Sequence, residues 1–270
     1  MQPPPKPRAG LTQIPSFDEK LDAEEEVLEV MLAALGKEKL DGAVWQKLHD
    51  AAVRDERVSE LAFAYESVSQ GKRIKILPPV AAAEFYFRAA TFFADVLGDE
   101  FGGRSYLEKA IGASPSHPQA FERLADMLER AGDETKLGEL YVQAAAHRPK
   151  GEQVDLLRRA GRVFDKLDTN DDKAIEIYAQ LLRLDPTDED ARSRLESRYS
   201  KLNRHRDVAR LLEQALATDP PPAADEAIRL RARLVDLYAQ WSDLLERTGD
   251  VEKALEVARR ALKARATSRT

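Results

Sequence analysis

The chain has 270 residues, 33% of them charged and 43% hydrophobic, with a formal net charge of −6. This acidity argues against general affinity for nucleic acid or for anionic membrane surfaces. No window approaches the ~18 apolar residues needed to span a bilayer. The absence of cysteine excludes disulfides and thiolate metal sites.

Residues 1–15 hold five of the fourteen prolines and little apolar material, the composition of a disordered tail. Basic residues follow Met1 without a subsequent apolar core, so this start does not read as a secretory signal. Ser16, with Glu19 three residues on, has the spacing of a capping box and opens an N-terminal helical segment, 16–41. Leu21, Leu28, Met31, Leu32 and Leu35 form its apolar stripe. Asp22, Glu24, Glu25, Glu26 and Glu29 lie mostly off that stripe and read as a solvated face, with an acidic binding face as the alternative.

A first helix pair is expected over 42–71. Trp45, Leu48 and Ala52 face Leu61, Tyr65 and Val68 across a turn at Asp55–Arg57. The segment from Gly71 to Pro79 breaks the pattern and reads as a linker that docks Ile74 and Ile76 on the helices. Pro79 then starts a helix bearing Phe85, Tyr86, Phe87, Phe92 and Phe93. Being apolar nearly all round, it is expected to be buried on more than one side, the alternative being an exposed aromatic patch. Gly98-Asp99 breaks the pair, and Gly102-Gly103 weakens the start of the next helix, each glycine costing roughly 1 kcal/mol against alanine.

From here the chain becomes periodic. Pro115, Pro149, Pro186 and Pro220 stand 34, 37 and 34 residues apart (149−115, 186−149, 220−186), each after two amphipathic helices. Phe121, Leu124, Ala125 and Leu128 lead to Leu137, Tyr141 and Ala144; Leu157, Ala160, Gly161 and Phe164 lead to Ala174, Tyr178 and Leu181. Leu195 and Tyr199 lead to Val208, Leu212 and Ala215, with Glu196 where the other repeats carry a small residue. Such a glutamate is expected at a wider crossing, or snorkelling outward. After Pro220-Pro-Pro222 a longer helix to about Arg247 carries Tyr238, Trp241, Ser242 and Leu245, and its partner carries Ala254, Ala258 and Ala261.

This pattern resembles the tetratricopeptide repeat, whose first helix reads W-x2-L-G-x2-Y and whose second reads A-x3-F before a proline. Phe121 stands for the tryptophan, Ala125 for the glycine, Leu128 for the tyrosine and Tyr141 for the phenylalanine. The resemblance covers about residues 42–266 and implies an all-α, right-handed superhelical solenoid of antiparallel helix pairs, about six of them over 42–270. It also implies that first helices line a concave face accepting an extended or helical peptide.

Chemistry-bearing motifs are scarce. No phosphate-binding loop, dinucleotide fingerprint, nucleophile elbow or paired-histidine zinc motif occurs, so the chain reads as a non-enzyme without cofactor or metal. Asp168, Asn170 and Asp172 fit the first oxygen positions of a calcium loop, but Lys173 and Ala179 stand where glycine and glutamate are required. What remains is charge on the first helices. Offsets from the small-residue position bring Arg158, Arg159, Arg162, Arg194, Arg198 and Lys201 to one face, joined by Arg123 and Arg130 from the preceding repeat. A basic trough of this kind would take an acidic peptide segment. The same face could instead pair its arginines with the chain's own acids.

The leading expectation is a cytoplasmic protein–protein interaction scaffold, its alanine and arginine usage compatible with a bacterial source. The alternative is a structural or regulatory module cut from a larger protein, assembling through its ends, because no polar-faced helix follows the last repeat.

Overall fold

The computed structural model describes residues 42–72, 74–167, 171–219 and 221–266. The expected tail and N-terminal helix, the Asp168–Asn170 turn and Pro220 lie outside them. Twelve α-helices fill the described chain, and it contains no strand. It divides into two compact units, residues up to Gly132 and residues from Asp133 onward. The boundary falls between the two helices that the sequence reads as one repeat, Phe121 to Leu128 and Leu137 to Ala144.

In the first unit, α1 (Gly42–Arg54) pairs with α2 (Val58–Gln70), and α3 (Pro79–Thr91) with α4 (Glu100–Ala113); α5 (Pro118–Arg130) follows. The aromatic helix is buried as expected: Phe85, Phe87, Phe92 and Phe93 are all in the core. Tyr65 packs on Phe85 and Phe92 at ring separations of 5.6 and 5.5 Å, and Phe93 meets Tyr106 at 5.0 Å. Behind Thr91 the helix widens into a π turn, Phe92–Val96, closed by the Leu97 amide donating to the Phe92 carbonyl. Nothing in the apolar run of residues signals this widening.

One expectation needs correction here, and another gains a structural reason. The 71–79 linker docks only Ile74, within a short 3-10 turn (Ile74–Ile76), whereas Ile76 is 83% exposed. One turn holds two isoleucines facing different ways, so only one can reach the core. Nor is Gly103 merely a weakness. A Cβ there would lie 2.8 Å from the Ala94 methyl, so the missing side chain is what lets α4 lie close against the end of the aromatic segment.

The second unit contains α6 (Glu134–Ala145), α7 (Lys150–Asp165), α8 (Asp171–Leu184), α9 (Glu189–Lys201), α10 (His205–Leu216), α11 (Ala224–Arg247) and α12 (Val251–Ala266). After α6, successive helices pair as first and second members of a repeat. Gly161 sits where the repeat pattern wants a small residue, and a Cβ on it would come within 2.8 Å of the Tyr178 ring. The large residue fills the space that the small one vacates, as the spacing implies. In the last pair the Ser242 hydroxyl occupies that place and donates to the Ala254 carbonyl at 2.9 Å. Val208, Leu212, Leu230, Leu234, Tyr238 and Val257 join one core across α10, α11 and α12.

The turns follow a local rule. Gly98, Gly132 and Gly249 take positive φ (68°, 66° and 85°) and each is followed by an aspartate. The aspartate then caps the next helix, as Asp99 does by accepting the Gly102 amide at 2.9 Å. Of the two arrangements expected for Glu196, outward snorkelling does not occur: the residue is only 9% exposed. Its carboxylate turns along the stack to Arg233 of α11, at 2.5 Å.

Candidate interaction face on the first helices

The arginines named from the sequence divide by unit. In the first, Arg123 and Arg130 lie on α5. Arg123 is bound to Asp95, and Arg130 pairs with Asp126 at 2.9 Å and reaches Glu100 at 3.7 Å. These are exposed pairs, each worth about 0–1 kcal/mol.

In the second unit the first helices α7, α9 and α11 are joined by ion pairs from one repeat to the next. Arg158 on α7 donates to Asp188 at 2.9 Å, and Asp188 meanwhile caps α9 by accepting the Ala191 amide at 2.9 Å. Asp165, the last residue of α7, receives both Arg194 and Arg198 of α9, the latter at 2.7 Å, and the Tyr178 hydroxyl at 2.6 Å. Arg192 of α9 binds Glu226 of α11, and Arg233 of α11 binds Glu196.

The electrostatics follow from these contacts. Burial pushes the Asp165 carboxyl upward, but hydrogen bonds from Tyr178, Arg198 and Arg194 outweigh it and hold the group below the usual carboxylate range. Tyr178 is driven up by burial and by its bond to Asp165. Arg158 is raised chiefly by its hydrogen bond to Asp188. All three remain in their ordinary charge states at neutral pH, so the network ties the repeats together and is not a poised acid–base site.

The eight cations therefore serve unequally. Arg158, Arg194 and Arg198 are engaged within the fold, and Arg198 is 8% exposed. Arg159, Arg162 and Lys201 are exposed and make no ion pair among the described residues. Asp165, Asp188 and Glu226 stand out by no motif in the sequence, and Glu196 stands out there only as a misfit within its own helix. Their signal was present, since each pair joins opposite charges 29 to 37 residues apart, near one repeat length: 188−158 = 30, 194−165 = 29, 226−192 = 34 and 233−196 = 37. Among the described residues no cluster of histidine, aspartate or glutamate is arranged to hold a metal ion. No described helix is long and apolar enough to cross a membrane.

Residues 156–192, from α7 through α8 into α9, match the family model described as Tetratricopeptide repeat. The chain carries a tetratricopeptide repeat. Gly161 and Tyr178, whose close approach defines the α7–α8 crossing, both lie in the matched segment. No curated protein matches the sequence. Among solved structures, MamA is 16% identical with a TM-score of 0.32, covering 63% of this chain and 92% of its own. The apo form of RapI is 11% identical with a TM-score of 0.29, covering 82% and 96%. TTC0263, a thermophilic tetratricopeptide-repeat protein of Thermus thermophilus, is 20% identical with a TM-score of 0.28, covering 69% and 97%.

Proposed function

We propose that the chain is a non-catalytic protein–protein interaction scaffold, and that the first-helix face of its second unit binds an acidic segment of a partner protein. The observation that carries this reading is the presence of three exposed cations without an ion pair among the described residues, Arg159, Arg162 and Lys201, beside a set of arginines already neutralised by the fold. Repeat arrays present extended concave surfaces on their first helices, and such surfaces suit a peptide lying across several repeats. Exposed ion pairs contribute roughly 0–1 kcal/mol each, so three of them fall short of the ~8 kcal/mol of a micromolar complex. Apolar contacts must supply the remainder. A cytoplasmic setting belongs to the same proposal.

The test is fluorescence anisotropy with a labelled peptide of alternating glutamate and leucine. The triple variant Arg159→Glu, Arg162→Glu, Lys201→Glu should lose binding while keeping the wild-type melting temperature. Equal binding by both proteins would sink the reading.

A second reading, assembly through the end of the array, is favoured by α12. Val251, Leu255 and Leu262, spaced along one face, are 55%, 58% and 67% exposed. Light scattering over a dilution series should then show a mass that falls on dilution, and Leu255→Glu with Leu262→Glu should abolish the dependence. A constant monomer mass would contradict it.

A further inference from the structure

The second unit carries another opening, on the side of its second helices. Between α8, α9 and α10 lies a cleft of about 590 Å³. Its floor is apolar: Leu195, Leu211 and Ala215 are buried, and Leu182 and Tyr199 are half-buried beside them. This cleft flanks the α9–α10 pair, the repeat in which Glu196 replaces the small residue and turns its carboxylate to α11 instead. No close small-against-large contact like that of Gly161 and Tyr178 is therefore available at position 196.

The rim is charged, and its charges are unequally engaged. Arg183 on α8 and Arg210 on α10 are exposed and make no ion pair among the described residues. Of the other charged lining groups, Arg192 is bound to Glu226, and Asp207 is held by Arg204 at 2.8 Å. Glu176 is the remaining acid, two helical turns before Arg183 on α8. The excess of unsatisfied charge is positive, and it stands over an apolar floor.

We infer that this cleft is a second docking site, taking an acidic segment of a partner protein that inserts one large apolar side chain and places carboxylates against Arg183 and Arg210. A pocket of this volume with an apolar floor is of the size that accommodates an anchor residue. The two arginines select its flanks, because a basic flank would leave them facing like charge. The site is distinct from the first-helix face and shares none of Arg159, Arg162 or Lys201.

A random peptide library displayed on phage and selected on the full chain tests this directly. The selected peptides should centre on phenylalanine, leucine or tryptophan flanked by aspartate or glutamate. Their affinity should fall by about tenfold or more in Arg183→Glu with Arg210→Glu. Gln214→Trp, which fills the cleft from an exposed lining position, should block them as well. Circular dichroism melts establish that both variants stay folded. Peptides without an acidic-apolar pattern, or peptides that bind both variants as well as wild type, would overturn the inference. Peptides lost only in Arg159→Glu with Arg162→Glu would also overturn it, while supporting the first-helix face.

Discussion

Arg198 of α9 donates to Asp165 of α7 at 2.7 Å, joining one repeat to the next, and both side chains are largely withdrawn from water. The face that the sequence reads either as a basic trough or as arginines paired with the chain's own acids is thus partly an internal fastening. Asp165 is its focus, because it also receives Arg194 and the Tyr178 hydroxyl.

Asp165→Asn should destabilise the chain by about 1–3 kcal/mol, since two arginines lose their charged acceptor. It should also change the acid response. The folded carboxyl titrates below its unfolded value of about 3.9, so between the two values the unfolded chain binds the proton and the folded chain does not. Its contribution to stability is complete above about pH 5 and is lost as pH falls through the folded value. Urea melts at a series of pH values should show a shallower decline on the acid side for Asp165→Asn than for wild type.

Gly161→Ala should destabilise by about 1–3 kcal/mol, even though alanine is the better helix former by roughly 1 kcal/mol. The added methyl would lie 2.8 Å from the Tyr178 ring. Gly151, in the same helix, has nothing within 4 Å of where an added methyl would stand, so Gly151→Ala should be neutral or slightly stabilising. Thermal melts of the two variants separate packing from propensity.

The repeat architecture was legible because its signals are local. Gly-Asp turns and prolines behind second helices act within a few residues of where they stand, and small residues recur at one fixed offset within each repeat. The partners of the arginines were harder to read, since a charge on a helix face does not disclose which residue of the next repeat lies opposite it. Glu196 shows the difficulty. Read within its own helix it is a misfit, and read against Arg233 of α11 it is a partner. His117 is a similar case: it is scattered among the histidines in sequence, yet in the fold its Nδ1 accepts the Ala120 amide at 3.2 Å and caps α5, while Nε2 faces Glu84 at 3.1 Å.

With Nδ1 accepting from the backbone, the His117 proton lies on Nε2 and is donated to Glu84. His117→Ala removes the cap and leaves Glu84, itself 9% exposed, with one fewer donor, at a cost of about 1–3 kcal/mol. His117→Asn can still cap α5 and should lose less. Chemical denaturation of the two variants distinguishes the cap from the contact.

The arginines of the first helices hold successive repeats together, and a double-mutant cycle on Asp165→Asn and Arg198→Gln tests that claim most directly. Denaturant unfolding of wild type, both single variants and the double should give a coupling energy of about 1 kcal/mol or more. Two single effects that simply add, with no coupling beyond error, would contradict it.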